Sequence, residues 1–504
     1  MAALLVSCGS GSPRTVSGTF STTYWLDDGT RTTLPAAASD GSVARALLVP
    51  NGSPAGYQSF PITVDAGHSF SVAGVPAGPY FLQLDGPRVD RCRVAACPGG
   101  PGLVLAVATR LIELRTSTPD LREVTTARPD VELVTYDPGA GIPPSLDLTN
   151  LEPWLEGSFV EAVSSQASIG VFFFPAPAPA AGATSISGLR WDFHQGGLPD
   201  PAKKDVVFVY QRLLRNVGSG PTAATITGSN RYARLTDLAA AAPGAAPGTK
   251  DITLNDSPRT ASISADLRSS QFAAMGKQVH PSAVPSAVLT FDVGVAAVPH
   301  SVQYPDMPAN GQGMNLLDLE SRTAAGVDVN YGPLDYGDFL DPLWKTYRTA
   351  GYFFDVSLPE LDSPILASIT TSVATSDATS PIVPVVGPPL APTIEGRDAF
   401  TRQEGVGLQP TLSWSAPALG QPSSYVVTIT DSRQPVVPGQ VRRISATVYT
   451  GRSFKVPPGL LTAGGLYHAT ITAVMAPWDV LDRGPFQTGR PRHTADCVTG
   501  VFTP

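Results

Sequence analysis

The sequence is poor in charged residues and cysteine and has no long apolar run. Only 15% of its 504 residues are charged, against 42% hydrophobic, which argues against a solvated, disordered chain. No stretch of about 18 uninterrupted apolar residues occurs, so nothing in it is predicted to span a bilayer as a helix. The net charge is −8 and the basic residues do not cluster, whereas phosphate binding needs clustered Lys and Arg. We therefore expect no nucleic-acid partner.

Patterns that usually carry catalysis are also missing. The six histidines are scattered and include no H-E-x-x-H pair, so metal catalysis has no motif. No G-x-S-x-G turn is present to lift a serine nucleophile from a sheet, and no glycine-rich phosphate loop precedes a helix. We expect a protein without catalytic activity, and leave open an enzyme whose residues meet only in the fold.

Glycine and proline are abundant, with 48 and 50 residues spread along the chain. They divide it into many short segments, which is typical of antiparallel strands joined by turns. At about 100–200 residues per domain, the length predicts three or four domains. We predict an all-β protein of tandem β-sandwich domains.

The N-terminus carries a possible targeting signal. Residues 5–8 read Leu-Val-Ser-Cys and resemble the bacterial lipobox, which implies that Cys8 is lipidated and that residues 1–13 are a signal remnant and flexible leader. This resemblance predicts a lipid-anchored protein of the bacterial cell envelope, with the membrane as a partner. The alternative is a chance cysteine in a frayed terminus. Cys92 and Cys97 could close a small disulfide loop, which leaves Cys497 either buried and free or paired across domains.

The first predicted domain covers residues 14–100. Within residues 67–84, apolar side chains recur at every second position, a period that places them on one face of paired strands. The V-P-A-G-P-Y motif in this run resembles the closing strands of the carboxypeptidase regulatory-like, or transthyretin-like, fold. The resemblance implies a small β-sandwich that acts as a spacer and has no active site.

Residues 101–375 form a middle region that resembles no family we can name. Strand-like runs bounded by Pro, Gly or Asp predict one large or two smaller β-sandwiches. These runs are residues 103–108, 131–136, 169–174, 206–210, 224–227, 288–293 and 352–356. One helix is predicted, with an N-terminal cap at residues 264–266 and an end at Pro281.

The last part of the chain carries the clearest family resemblance. Residues 376–391 are rich in proline and predict a semi-rigid linker. Residues 392–504 resemble a fibronectin type III domain, because Trp414 lies on the second predicted strand and Tyr467 opens a later one after a T-A-G-G-L run. The resemblance implies that Trp414 belongs to the core and that the Tyr467 hydroxyl bonds upstream backbone in a tyrosine corner.

Two groups of residues are candidate binding sites in the middle region. Asp335, Asp338 and Asp341 lie in an acidic, aromatic segment and could supply oxygen ligands to calcium, the one cofactor considered. The alternative is that these carboxylates cap local turns. Trp154, Trp191 and Trp344 are candidates for stacking against a sugar, although a Trp in a β protein is more often core.

The preferred interpretation is an extracellular, lipid-anchored structural or binding protein of the adhesion type, with a carbohydrate or a surface protein as its partner. One alternative is a modular secreted hydrolase that acts on a polysaccharide or protein through the middle region. Another is a subunit of a surface assembly that docks through exposed strand edges.

Overall fold

The chain is described over most of its length. The computed structural model describes residues 12–25, 30–37, 42–51, 56–92, 102–125, 134–135, 144–164, 169–173, 177–190, 195–196, 201–203, 206–239, 248–287, 289–299, 314–321, 326–338, 344–378, 380–432, 442–477, 479, 481–482, 486 and 491–504. The described residues form an all-β protein of several sandwiches, as the turn-rich sequence predicts.

Among the described residues, nine strands build the N-terminal module. They are β1 (Arg14–Thr19), β2 (Ser21–Trp25), β3 (Arg31–Pro35), β4 (Val43–Pro50), β5 (Tyr57–Pro61), β6 (Ser69–Val75), β7 (Tyr80–Cys92), β8 (Gly102–Leu114) and β9 (Arg122–Thr125). The core of this module includes Phe70, Tyr80 and Leu82, members of the alternating run seen in the sequence. Their period of two is the consequence of the strand pleat.

The N-terminal module extends beyond the predicted boundary at residue 100. β8 pairs with β7 along its whole length, from Tyr80 opposite Leu114 to Cys92 opposite Gly102. β9 then pairs in parallel with β2. β8 and β9 therefore extend the sheets of this module to Thr125, beyond the predicted boundary.

The middle module holds eighteen strands and short helical turns among the described residues. The strands are β10 (Val134–Thr135), β11 (Ser145–Thr149), β12 (Phe159–Ser164), β13 (Ile169–Phe173), β14 (Ser185–Leu189), β15 (Gln195–Gly196), β16 (Val207–Val217), β17 (Ala224–Gly228), β18 (Arg231–Leu235), β19 (Thr249–Thr253), β20 (Asn255–Asp256), β21 (Arg259–Leu267), β22 (Ala283–Pro285), β23 (Phe291–Pro299), β24 (Met314–Ser321), β25 (Val329–Asp338), β26 (Trp344–Val356) and β27 (Ile365–Ala374). The helices are α1 (Ser269–Ala273) and α2 (Gly276–Val279), with 3-10 turns at Pro201–Lys203, Gly220–Thr222 and Thr375–Asp377.

Strand β16 serves two hydrophobic cores. Val207 and Val209 pack into a smaller core, whose other members lie between residues 146 and 254 of the chain. Phe208 and Tyr210 face the opposite way, into the large core that continues into the C-terminal module. Because successive side chains of a strand point to opposite faces, one apolar strand can join two layers. This favours the alternative of two sandwiches over one.

The predicted helix is shorter than expected and begins later. Ile263, Ala265 and Leu267 are buried at every second position, and β21 pairs with β25 through this stretch. That alternation favours a strand, so the cap predicted at residues 264–266 is wrong. The helical residues come afterwards, in α1 and α2, where Phe272 and Val279 are fully buried as the apolar stripe predicts.

The proline-rich segment is packed against the middle module. Ile382 and Val386 are fully buried. The Ile382 N–H donates to the Asp266 carbonyl at 2.8 Å, and the Ile382 carbonyl accepts the Arg268 N–H at 3.1 Å. Residues 376–391, predicted as a semi-rigid linker, therefore include a segment held to the middle module by backbone hydrogen bonds.

The described part of the C-terminal module holds eight strands. They are β28 (Leu390–Ile394), β29 (Arg397–Asp398), β30 (Thr411–Ser415), β31 (Ser424–Asp431), β32 (Arg442–Val448), β33 (Ser453–Lys455), β34 (Tyr467–Met475) and β35 (His493–Val498). One sheet has the order β29-β28-β30-β33 and the other β32-β31-β34-β35. Trp414 is 5% exposed in the core, and the Tyr467 hydroxyl accepts the Thr462 N–H at 3.0 Å. Both features agree with the fibronectin type III resemblance.

The C-terminal module lies between the other two. β8 of the N-terminal module pairs in parallel with β32, and β27 of the middle module pairs with β35. Both edges of one C-terminal sheet are thereby covered by strands from other modules, which removes open edges that invite foreign pairing. The sandwiches are joined by strand pairing and are not separate units in chain order.

Candidate functional site

The densest group of buried charges lies in the middle module. Glu161 on β12 and Arg212 on β16 belong to paired strands, while Asp318 lies on β24, two strands further along the sheet. Their strand registers place the three side chains on the same face of the sheet as Tyr210. We call Glu161, Arg212 and Asp318 the buried ion cluster.

Arg212 occupies the centre of the buried ion cluster. Its side chain is 1% exposed, and its Nη1 lies 3.5 Å from the Glu161 carboxylate. Nη2 contacts the Asp318 carboxylate, and Nη1 also donates to the Asn315 carbonyl. The guanidinium carbon lies 5.6 Å from the centre of the Phe159 ring. The guanidinium is therefore held by two carboxylates, a backbone carbonyl and an aromatic face.

Burial controls the protonation of this cluster. It raises the pKa of Glu161 to about 7, against the lowering effects of Arg212 and of a hydrogen bond from Tyr210. Burial also raises the pKa of Tyr210 well above its usual range, with the charge of Glu161 adding to the effect. A buried carboxylate that titrates near neutrality can act as a general acid or base when substrate reaches it. Glu161 is 4% exposed and Asp318 is 31% exposed, so solvent reaches the cluster from the Asp318 side.

A second polar group lies in the C-terminal module around Asp479, which is 6% exposed. Its carboxylate accepts the Ser423 hydroxyl at 2.9 Å, the Ser424 hydroxyl, and the Tyr449 hydroxyl at 2.7 Å. Burial raises the pKa of Tyr449, and Asp479 adds to that shift. Three hydroxyls that all donate to one carboxylate fix the positions of their strands, which is a structural arrangement.

Three described histidines bond to hydroxyl or backbone groups away from both clusters. His280 Nδ1 lies 2.8 Å from the Ser282 hydroxyl, His468 Nδ1 lies 2.7 Å from the Ser432 hydroxyl, and His493 Nδ1 lies 3.1 Å from the Thr371 hydroxyl. Burial lowers the pKa of His468 to about 4, with Arg443 adding to the effect, so this imidazole is neutral at physiological pH. The geometry of these three side chains gives no Ser-His pair with Ser423 or Ser424.

The segment proposed to bind calcium contains a strand where a loop was expected. Asp335 and Asp338 both lie on β25, which pairs with β21. Asp338 forms an ion pair with Arg259 at 3.1 Å, and Asp335 is exposed. Asp341 lies outside the described residues. Asp335 and Asp338 therefore lie on a paired strand and not in the expected loop, and calcium binding by the three aspartates stays a prediction. Across the described ranges, no group of three or more His, Cys, Asp or Glu side chains is placed to hold a metal ion.

Only one of the three candidate tryptophans has a described side chain. Trp154 is 3% exposed and packs in the smaller core of the middle module, so it offers no ring face to a sugar and the expectation of a surface contact is wrong there. Trp344 begins β26, but its side chain lies outside the described part of the structure, as does Trp191 altogether. A carbohydrate contact at those two residues stays a prediction.

The cysteines are described only in part. Cys497 is buried and free, and is not paired across domains. Burial, together with the charge of Asp496, raises the pKa of its thiol. Cys92 ends β7 at a position opposite Gly102, without a described side chain. Cys8 and Cys97 lie outside the described residues. Lipidation of Cys8 and a disulfide between Cys92 and Cys97 therefore stay predictions.

The sequence contained one signal for the buried ion cluster that motif searches do not read. Arg212 follows Phe208 and Tyr210 at two-residue spacing inside an apolar strand, so it had to lie on the same buried face. A buried arginine needs a carboxylate partner. The identities of Glu161 and Asp318 could not be read from this spacing, because strand pairing brings them from 51 and 106 positions away.

Comparison with known proteins gives no family. No family model matches the chain, and no curated protein matches it. Among solved structures, the FN1–FN3 domains of chicken CNTN1 are similar at a TM-score of 0.14 and 10% identity, over 73% of this chain and 97% of that one. A tetra-tandem repeat in the extending region of a large adhesion protein is similar at a TM-score of 0.13 and 14% identity, over 97% of this chain and 99% of that one. At these TM-scores neither likeness carries an argument.

The described helices are all short. Within the part of the chain that the structure covers, none has the length and apolar character needed to cross a membrane.

Proposed function

We propose that this chain is an extracellular structural or binding protein of the adhesion type, without catalytic activity, held at the bacterial cell envelope by a lipid on Cys8. The observation that carries the proposal is the continuous strand pairing through three modules, in which β8 and β27 flank the C-terminal sheet. Pairing of this kind sets the orientation of one module on the next, as a scaffold that presents a surface requires. Its partner would be a carbohydrate or another surface protein.

The use of the polar groups supports the same proposal. Asp479 accepts three hydroxyls, and Arg212 is shared by two carboxylates and a backbone carbonyl. Side chains engaged in this way hold strands together and are not free to bind a substrate. The described polar side chains therefore act mainly to hold the structure together.

Retention experiments test the binding function. The purified full-length protein is applied to immobilised polysaccharides and to outer-surface extract, and bound partners are measured by quantitative mass spectrometry. We expect saturable retention on one class of surface with no soluble product released. Retention on every surface at an equal, salt-sensitive level would contradict the proposal.

Labelling tests the anchor separately. Cells that express the full-length wild type or Cys8→Ala are fed radiolabelled fatty acid, and incorporation is measured after the protein is captured. We expect label only in the wild type. Equal labelling of the two proteins, or none in either, would contradict the lipid anchor. The binding function would then be judged from the retention experiments alone.

A hydrolase is the second candidate, favoured by one observation. Glu161 has its pKa raised to about 7, and Asp318 is a second carboxylate on the same guanidinium. Glycoside hydrolysis uses a pair of carboxyl groups, one of which holds a proton near neutral pH and acts as the general acid. Release of reducing ends from polysaccharides by wild type, lost in Glu161→Gln and in Asp318→Asn, would establish this function. Equal background release by all three would exclude it.

A further inference from the structure

The edge of the C-terminal sheet at β32 is completed by a strand from the other end of the chain. Residues Arg442 to Thr447 of β32 pair in parallel with Val107 to Ile112 of β8. Without β8 this edge would expose unpaired backbone groups, and such an edge accepts an added strand. This edge of β32, which we call the seat, is therefore a strand-binding site. In the structure, β8 of the N-terminal module occupies it.

One carboxylate terminates this pairing. Glu113 follows the paired segment of β8 and is 4% exposed. It accepts the Tyr449 and Thr450 N–H groups, the latter at 3.0 Å, and the Thr450 hydroxyl. Two adjacent amides and a hydroxyl directed at one carboxylate form a specific receptor for an acidic side chain. The register of β8 on β32 is thus set by Glu113.

Contacts on either side of the pairing extend the recognition. The Tyr57 hydroxyl donates to the Lys455 carbonyl at 2.6 Å, and the Phe81 and Phe454 rings lie 5.9 Å apart in an edge-on arrangement. On the other side, the Asp482 carboxylate accepts the Arg115 N–H at 2.6 Å and the Thr116 N–H at 3.1 Å. Most of these bonds involve backbone groups, so they select a folded module in one orientation.

We propose that this seat also accepts the N-terminal module of a second copy of the chain, so that copies exchange their N-terminal modules and associate. The occupant follows from the seat itself, because it is filled by this chain's own module with matched register, carboxylate and aromatic contacts. Binding within one chain and binding between two copies form the same bonds. The balance between them is set by local concentration, which is the condition for domain exchange.

The N-terminal module has the means to move as a unit. Val16, Leu47, Phe70 and Leu114 belong to a core that, among the described residues, Phe486 alone enters from the C-terminal module. Tyr57 and Phe81 belong instead to the large core that the C-terminal module shares. β9 ends at Thr125, and β10, which pairs with β15 of the middle module, begins at Val134, so eight residues lie between the two strands. At about 3.3–3.6 Å per residue, eight residues span at most about 26–29 Å. Exchange therefore requires a second copy that lies alongside the first. The inference depends on neither a lipid anchor nor an external ligand.

Cross-linking tests the exchange directly. Arg110 lies opposite Ser445 across the β8 and β32 pair, so cysteines at the two positions can form a disulfide. Two full-length chains with different tags are coexpressed, one with Arg110→Cys and the other with Ser445→Cys, in a background in which Cys8, Cys92 and Cys97 are replaced by Ser. We expect a disulfide-linked dimer that carries both tags and that increases with expression level.

Two controls make the outcome decisive. The pair Arg110→Cys with Thr253→Cys, an exposed residue of the middle module, should give dimer at least about tenfold less often, because only opposed positions meet the disulfide geometry. Both substitutions at residues 110 and 445 in one chain should give an intramolecular disulfide in the monomer. Exchange is overturned if the mixed-tag dimer does not exceed the Thr253 control. It is also overturned if the single chain forms no intramolecular disulfide, because the seat itself would then be wrong.

Discussion

Glu113 and Thr450 lie 337 positions apart in the chain, yet the Glu113 carboxylate accepts both the Thr450 N–H and the Thr450 hydroxyl. This contact fixes the N-terminal module on the C-terminal module at the point where β8 leaves β32. A carboxylate that accepts hydrogen bonds from buried backbone N–H groups contributes more to stability than a carboxylate at the surface, because its removal leaves those N–H groups unpaired.

Glu113→Ala should destabilise the protein more than Glu113→Gln does. The alanine leaves the Tyr449 and Thr450 amides without their acceptor, at a cost of about 2–4 kcal/mol, while the glutamine keeps one oxygen and should lose about half as much. The free energy of unfolding is measured by urea titration of the first transition, with fluorescence from the C-terminal module. Glu156→Ala, at an exposed position, is the matched control and should change stability by no more than about 0.5 kcal/mol. Equal losses in Glu113→Ala and Glu156→Ala would contradict the role of Glu113.

Glu161 should make the protein less stable as the pH rises through neutrality. Burial raises its pKa from 4.5 to about 7 on folding. A raised pKa in a folded carboxyl gives stability that is fully present below the unfolded value and lost as pH rises through the folded value. A difference of this size corresponds to roughly 3 kcal/mol between the two limits, at 1.36 kcal/mol for each pKa unit.

Glu161→Gln should remove that pH dependence. Denaturation midpoints of the wild type and of this variant are measured across the interval from the unfolded to above the folded pKa of Glu161. The wild type should lose stability towards the alkaline end relative to the variant, whose curve should be flatter. Parallel curves for the two proteins would show that Glu161 does not titrate in the folded state.

Much of the local structure follows from short-range patterns. Alternation of apolar residues predicts β7, and the tyrosine corner predicts the environment of Tyr467, because each depends on neighbours within about ten residues. The same rule, applied to Ile263, Ala265 and Leu267, would have replaced the predicted helix start with a strand. In this segment the cap pattern at residues 264–266 indicates a helix start while the alternation indicates a strand, and the structure follows the alternation.

The assembly of the modules could not be read from the sequence. Pairing of β8 with β32 depends on matching backbone edges, which leave no residue pattern at positions more than 300 apart. The partners of Arg212 could not be predicted for the same reason. Nothing in the sequence distinguishes Glu161 and Asp318 from other acidic residues, and only the strand register places them beside one guanidinium. Composition likewise predicts only a semi-rigid linker at Ile382, because proline content reports backbone stiffness and not whether a strand lies alongside.

Arg348 should hold the proline-rich segment in place. It is 3% exposed, and its Nη1 donates to the Ser264, Ala378 and Ser380 carbonyls at 3.2, 2.9 and 3.0 Å. Arg348→Met removes these charged hydrogen bonds and should cost about 2–4 kcal/mol. Hydrogen exchange is expected to accelerate in residues 380–386, where the Ile382 amide otherwise donates to Asp266.

The control for Arg348 is a more exposed arginine. Arg402 pairs with Glu360 and Glu404 and its side chain is 51% exposed, so Arg402→Met should cost less than about 1 kcal/mol and leave exchange at Ile382 unchanged. If Arg348→Met leaves that exchange at the wild-type rate, the segment is held by other contacts.

Cys497 should be unreactive in the folded protein. Its side chain is fully buried on β35, and burial together with the charge of Asp496 raises the pKa of the thiol. Because the thiolate is the reactive species, both effects lower the rate of disulfide exchange. In a variant with Cys8, Cys92 and Cys97 replaced by Ser, native protein should react with a thiol reagent at least about 100-fold more slowly than the same protein in urea. Thr253→Cys in that background supplies an exposed thiol that should react at nearly the same rate in both conditions. A native rate for Cys497 close to that of the Thr253 control would show that β35 opens readily, and would argue against a firm joint between the middle and C-terminal modules.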